Sequence, residues 1–352
     1  MTDTLVRPPA LNAEDRVALV ESVRRLLADR CAERDVRRIM DSPHGHDPAL
    51  WRSLVELGVA GLTVPEAQGG AGLGVVELEL VMEEAGAALL PAPLISTAMA
   101  AVLLDGDRLA ALAEGQATAI AFAGAQDWTR AGDVRVADGR VTGTARFVAD
   151  AMIAETIVVA SDDGVFAVER SEAHVTPLPT FDRTRRMADV AFDAPVRQVA
   201  DAAQIADALD IGLVALAGEQ AGGARRMLEM TVGYAAERHQ FGRAIGSFQA
   251  IKHMAADLLL ESESATSAAR DAARQLAECS ETSDAAVALA AFACGDAFVR
   301  VAKDGIQMHG GIAFTWEHPA HLYLRRARSG AQYLGDGAYW RERYLQTLEA
   351  QQ

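Results

Sequence analysis

Arg238-His239-Gln240-Phe241-Gly242-Arg243-Ala244-Ile245-Gly246-Ser247-Phe248-Gln249 closes one long apolar stretch and opens another. Upstream, residues 209–237 lack proline and are rich in Ala, Leu, Met and Val, so they read as helix. Gly242 and Gly246 interrupt that pattern, as a C′ glycine and a turn glycine do. Ser247 is placed to cap a helix starting at Phe248. A packed helical hairpin has no need of Arg, Gln and Phe gathered at a helix end. A flat, charged ligand does: guanidinium for phosphate, amides for polar edges, phenyl for a ring face. The plain alternative is a cation on a helix dipole with a phenylalanine in the core.

Half of the 352 residues are apolar and only 5% aromatic, which fits an alanine-rich helical protein with large cores. The length suits two or three domains. A formal charge of −16 argues against nucleic acid or an anionic membrane as partner. Arg183, Arg185 and Arg186, and again Arg325, Arg326 and Arg328, still form local basic clusters able to meet phosphates. Cys31, Cys279 and Cys294 are odd in number and widely spaced, so they read as free thiols of a reducing compartment. The early acidic residues and missing apolar stretch argue against a signal peptide. No apolar run is expected to span a membrane, residues 95–104 being too short. Together these point to a soluble cytoplasmic protein.

Taken in order, residues 1–10 read as a disordered lead and Asn12 as a cap. Val17, Leu19, Val20, Val23, Leu26 and Leu27 follow helical spacing, and Pro48 opens a second helix ending near Gly58. A glycine-rich loop over 61–74 precedes helices at 75–89 and 94–104 and a short one near 109–114. No Gly-Lys-Ser follows that loop, so it is not a phosphate loop. At about residue 116 the texture changes. Runs at 117–123, 134–137, 140–148, 156–160, 164–169, 175–179 and 189–192 are short and β-like, predicting a small β-barrel or sandwich. From about 200 helices return, at 203–238, 247–278, 284–308, 319–329 and 336–349. The predicted division is 1–115 helical, 116–200 β, and 201–352 a helical bundle.

The second decisive stretch is Gln307-Met308-His309-Gly310-Gly311-Ile312-Ala313-Phe314-Thr315-Trp316-Glu317-His318-Pro319. With 238–249 it resembles the acyl-CoA dehydrogenase family, whose C-terminal domain carries R-x-x-F-G…F-Q and then Q-x-x-G-G-x-G-[FY]. The 61–74 loop is similar to that family's V-P-x-x-x-G-G-x-G segment. The resemblance implies a mainly α fold with a central β-barrel domain and a C-terminal helical bundle. It also implies FAD, an acyl-CoA substrate and an acceptor like electron-transfer flavoprotein. In the family a neighbouring subunit reaches the pyrophosphate and adenine through these motifs. Carried over by position, Arg238 would meet the pyrophosphate, with Gln240, Phe241, Phe248 and Gln249 beside it, and Gln307, Gly310 and Gly311 would line the dinucleotide. Arginine offers a fixed fork of donors, and paired glycines allow close backbone approach or simply stop a helix.

Several family features are altered. The family's T-E-x-x-x-G-S-D-type loop corresponds to Phe122-Ala123-Gly124-Ala125-Gln126-Asp127-Trp128. Its W-[IV]-[ST] step reads Phe147-Val148-Ala149, without the hydroxyl. The reaction needs a carboxylate base for the α-proton of the thioester. The position before the late glycine is Leu334, and the alternative position on the first long C-terminal helix is Gly212; neither takes a proton. Asp336, expected to cap the last helix, and Glu219, expected to be a buried hydrogen-bonding group, are the nearest carboxylates. His309, His318 and His321 lack a metal-site pattern.

The chain also resembles a short subgroup of the family, with Thr315-Trp316-Glu317-His318-Pro319 after the glycine pair, whose members pair with a longer dehydrogenase chain. Some act on bulky esters such as steroid side-chain thioesters. Three functions follow: α,β-dehydrogenation of an acyl-CoA, a non-catalytic FAD-clamping subunit of a heteromeric dehydrogenase, or a related flavin reaction that needs no α-proton base. A homo- or hetero-oligomer is expected, because the C-terminal helices are apolar on most faces.

Overall fold

A computed structural model describes residues 11–122 and 133–350. The expected disordered lead, and residues 123–128 of the altered loop, lie outside the described residues.

Among the described residues six helices come first: α1 Ala13–Arg30, α2 Glu33–Met40, α3 Pro48–Glu56, α4 Val75–Ala87, α5 Leu94–Leu103 and α6 Gly106–Ala113. Their starts are written in capping chemistry. The Asn12 side chain accepts the Asp15 N–H, and Asp47 accepts from Ala49 and Leu50 ahead of Pro48. The sequence reading passed over α2, which has no side-chain cap. Its signal is charge: Glu33 and Asp35 in the first turn, Arg37 and Arg38 in the last, each matching the helix dipole.

Eight strands follow: β1 Thr118–Ala121, β2 Arg135–Ala137, β3 Arg140–Ala149, β4 Thr156–Ser161, β5 Gly164–Glu169, β6 Ala173–Pro177, β7 Met187–Pro195 and β8 Arg197–Ala200. Seven match predicted runs; β8 was not anticipated. They form two four-stranded sheets, ordered β1-β4-β5-β8 and β2-β3-β7-β6. The barrel expectation is therefore corrected: among the described residues neither sheet closes. Alternating apolar residues of both sheets, among them Ala119, Ile157 and Val168 from one and Val141, Ala145 and Val190 from the other, share one core. That is the arrangement of a sandwich.

The C-terminal helices are α7 Gln204–Glu237, α8 Gln249–Ala277, α9 Ser283–His309, α10 Ala320–Gly330 and α11 Gly337–Ala350. Backbones of α4 and α7 touch through glycine. A Cβ at Gly222 would fall 1.8 Å from the Glu83 carbonyl oxygen, and one at Gly86 would fall 1.9 Å from that of Glu219. The segment Ser283–Phe314, containing α9, is long and apolar enough to cross a membrane, contrary to the sequence expectation. Its most apolar window is 61% buried inside the bundle, which accounts for the composition.

Helix α4 runs through the middle of these helices with four buried glutamates, Glu77, Glu79, Glu83 and Glu84. Arg16 holds Glu77 at 2.8 Å, Arg24 and Arg225 hold Glu84 at 2.9 Å, and Arg270 holds Glu83 at 2.7 Å. Glu79 has one buried oxygen without a hydrogen-bond partner. Burial, and then the neighbouring Glu83, push its carboxyl up to about 9.

Candidate functional site

The decisive stretch folds as a protruding hairpin. Helix α7 ends at Glu237, and the Arg238 N–H donates to the Tyr234 carbonyl at 2.8 Å. His239–Gln240 then pairs antiparallel with Arg243–Ala244, making β9 and β10. Phe241 (φ 55°) and Gly242 (φ 80°) form the two-residue turn, both left-handed as a type I′ turn requires. Gly242 is thus a hairpin residue, correcting the expected C′ glycine. A 3₁₀ turn, Ile245–Ser247, carries the chain to α8. The Ser247 hydroxyl donates back to the Ala244 carbonyl at 2.7 Å. It caps no helix: α8 begins at Gln249, behind Phe248.

The hairpin presents rings and charge to solvent. Phe241 is 92% exposed, and its ring meets that of Phe248 edge-on at 6.1 Å. The Arg243 guanidinium lies 4.0 Å from the Phe248 ring centre. Arg238, Gln240 and Gln249 are exposed, and among the described residues their side chains make no hydrogen bond. Gln307 is also exposed, two residues before the end of α9. Gly310 (φ 68°, ψ −148°) ends that helix, so the helix-stop reading holds. A Cβ at Gly310 or Gly311 would meet nothing within 4 Å, so both glycines border open space. The two motifs sit at one end of the bundle. Tyr234, four residues before Arg238, stacks on His309, two after Gln307, at 4.6 Å. This donor set, with its open glycines, fits the diphosphate and adenine of a dinucleotide.

The cleft between sandwich and bundle is different. Arg185 Nη2 donates to both oxygens of Glu219 at 2.6 Å. Arg326 donates to Glu219 at 3.1 Å, to the Thr184 hydroxyl at 2.9 Å and to the Thr184 carbonyl at 3.0 Å, and pairs with Asp182 at 3.3 Å. Burial works against the Glu219 charge, but Arg185 and then Arg326 outweigh it and hold the carboxyl below its usual range. Ser96 donates to Asp150 at 2.5 Å, and burial raises the Asp150 carboxyl. The Arg185 guanidinium also lies 4.9 Å from the Tyr333 ring. The space left among these groups is about 30 Å³, room for roughly two water molecules. Ala149 lines it where the family has a hydroxyl. These residues do not fit a flavin ring.

One sequence expectation is corrected here. Five of the six clustered arginines are engaged within the chain. Arg185 and Arg326 are buried in the ion network, Arg186 donates to the Met40 and Ser42 carbonyls, Arg183 pairs with Asp41, and Arg325 donates to the Phe181 carbonyl. Ser96, Asp150, Asp182 and Tyr333 were not picked out by sequence; Asp182-x-Thr184-Arg185 is the signal that could have found the network. Asp336 accepts the Tyr339 N–H at 2.8 Å, as a helix cap does. Leu334 is 2% exposed with φ 61°, and its carbonyl accepts from the Trp340 indole at 2.9 Å. A Cβ at Gly212 would fall 2.6 Å from the Met99 sulfur, so a carboxylate side chain has no room there.

Comparison with known proteins agrees with the motifs. The family model for the acyl-CoA dehydrogenase N-terminal domain matches residues 13–107, and that for the C-terminal domain matches residues 202–348. The acyl-CoA dehydrogenase IpdE2 of Mycolicibacterium smegmatis is 37% identical over 92% of this chain and 95% of its own length. The acyl-CoA dehydrogenase FadE34 of Mycobacterium tuberculosis is 37% identical over 86% of this chain, which spans 42% of that protein. Among solved structures, the ChsE4–ChsE5 complex from Mycobacterium tuberculosis superposes with a TM-score of 0.87 at 26% identity, covering 96% of this chain and 98% of the matched one. With both family domains matched and a relative this similar along nearly its whole length, the chain belongs to the acyl-CoA dehydrogenase family.

Proposed function

We propose that this chain is a cofactor-clamping subunit: it holds the adenosine diphosphate half of an FAD seated in a second, longer dehydrogenase chain, which supplies the carboxylate base. The observation that carries this reading is the filled cleft. Arg185, Glu219, Arg326 and Asp150 occupy the space between sandwich and bundle, while the dinucleotide motifs face outward with free donors. Leu334 and Gly212 leave the chain without a base at either family position. The two-chain ChsE4–ChsE5 neighbour is compatible with a mixed assembly.

In this assembly FAD supplies the hydride acceptor for α,β-dehydrogenation of an acyl-CoA. The tasks of this chain are binding and orientation. The Arg238 fork meets the diphosphate with charge-assisted hydrogen bonds. Phe241, backed by Phe248, offers a ring face to the adenine. Gln240, Gln249 and Gln307 serve polar edges, and the Gly310–Gly311 turn lets the backbone approach closely. An acceptor like electron-transfer flavoprotein completes the cycle.

The test is co-expression with a longer homologue that carries the glutamate. The mixed assembly is expected to hold FAD and to bleach anaerobically with an acyl-CoA ester, whereas the isolated chain does not bleach. Rapid bleaching by the isolated chain would overturn the reading.

A further inference from the structure

One buried side chain between the two motifs is not absorbed by the clamp itself. His309 is 4% exposed. Its Nδ1 is 2.7 Å from the Gly305 carbonyl, so Nδ1 carries the proton and donates. Its Nε2 is then a lone pair, buried and without a hydrogen-bond partner. The ring stacks on Tyr234 at 4.6 Å and lies 4.5 Å from the tilted His318 ring, and the Tyr234 and His318 rings meet edge-on at 6.4 Å. His318 Nδ1 accepts the Ala320 N–H at 3.2 Å, which places the proton of its neutral ring on Nε2. Three rings thus join the end of α7, the end of α9 and the start of α10. Tyr234 also accepts the Arg238 N–H through its carbonyl, and His309 directly precedes the Gly310 turn. A Cβ at Gly305 would fall 2.6 Å from the Met227 methyl, so α7 and α9 already touch one turn earlier.

We infer that the Tyr234–His309–His318 ring cluster is the joint that sets the Arg238 hairpin against the Gly310–Gly311 turn, with His309 as its positioning residue. This rests on the clamp reading and deepens it. His309 touches no ligand in this scheme. It acts by fixing two ligand-facing segments at one mutual geometry, which misplacement by a fraction of an ångström would spoil.

The joint requires neutral rings. Burial depresses the proton affinity of His309, with the bond to Gly305 opposing, and burial followed by His309 depresses that of His318. Of the charged groups near this pair, Arg37 lowers the His318 value and Glu33 raises it, both from α2. Because the folded values lie below the ordinary 6.5, the joint is intact above that pH and is lost as pH falls through the lowered values. Clamp affinity should fall with it.

The probe is FAD itself, followed by fluorescence anisotropy against the purified mixed assembly with the longer homologue between pH 5 and 8. Its diphosphate diester does not titrate in that range. Wild type is expected to weaken as pH falls through the lowered values of the two histidines. The double variant His309→Asn with His318→Asn keeps a donor for Gly305 and an acceptor for Ala320 and removes both titrating rings, so its profile should be flatter than that of wild type. His309→Ala loses donor and ring, and should bind roughly three- to tenfold more weakly at pH 7.5. Thermal melts at each pH show that the variants are folded; if the double variant does not fold, His309→Asn alone replaces it and should flatten the profile in part. Identical profiles in wild type and the Asn variant, or a flat wild-type profile, overturn the joint while leaving the clamp standing. FAD binding that is no stronger in wild type than in Arg238→Ala overturns the clamp and the joint together.

Discussion

One nitrogen of Arg185, donated from the segment between β6 and β7, binds both oxygens of Glu219 on α7 at 2.6 Å, with both side chains buried. The sandwich and the helical bundle are thereby joined by charge.

Breaking that pair should be costly. Glu219→Gln leaves Arg185 and Arg326 buried with an uncompensated charge, and a loss of about 3–5 kcal/mol is expected in denaturant unfolding. Its acid dependence follows from the depressed carboxyl. The stability that Glu219 contributes is fully present above its unfolded value of about 4.5 and is lost as pH falls through the lower folded value. Urea midpoints measured from pH 7 to pH 3 should therefore decline more steeply for wild type than for Glu219→Gln.

Restoring the family glutamate by itself should fail. Leu334 is fully packed, with its backbone in the left-handed region and its carbonyl tied to Trp340. Leu334→Glu buries a carboxylate among apolar neighbours without a partner, so the melting temperature should drop and acyl-CoA should still bleach no flavin. Bleaching by this single variant would mean that the cleft opens far more readily than its ion network allows.

The clamp gives a third expectation. In a purified mixed assembly, Arg238→Ala should weaken FAD retention by about 1.5–3 kcal/mol, the worth of a charge-assisted contact to phosphate. Gel filtration followed by flavin quantification reads this directly. Full retention in the variant would remove Arg238 from the site.

Glu79 should behave in the opposite sense to Glu219. Its carboxyl is raised to about 9 by burial and Glu83, so its favourable contribution is present below its unfolded value and is lost as pH rises toward 9. Glu79→Gln keeps the neutral shape, and should be more stable than wild type by a margin that widens from pH 5 to pH 9. Equal stability across that range in thermal melts would show that Glu79 is ionised and paired.

The sequence announced the helical elements because their caps and periods are local. Asn12, Asp47 with Pro48, and Gly310 each satisfy or end a helix with their own atoms. The residues proposed to face the ligand could be singled out for the same reason: Arg238 through Gln249 is one contiguous stretch. What stayed hidden is long-range. Glu219 meets Arg185 and Arg326 across separations of 34 and 107 residues, and the local Asp182-x-Thr184-Arg185 signal names neither distant partner. The sandwich was half legible, since strand periods can be read locally whereas closure depends on how edge strands meet. Gly242 was misread because a C′ glycine and a type I′ glycine share the same left-handed backbone.

The apolar character of α9 has a consequence for biosynthesis. Emerging alone, Ser283–Phe314 would offer membrane-inserting machinery a stretch as greasy as many true spans. The ribosome has by then already delivered α7 and α8, the two helices against which α9 packs most extensively. The order of elements along the chain therefore lets each new turn of α9 meet a finished groove as it appears, and its targeting fate is set by a race between docking and capture.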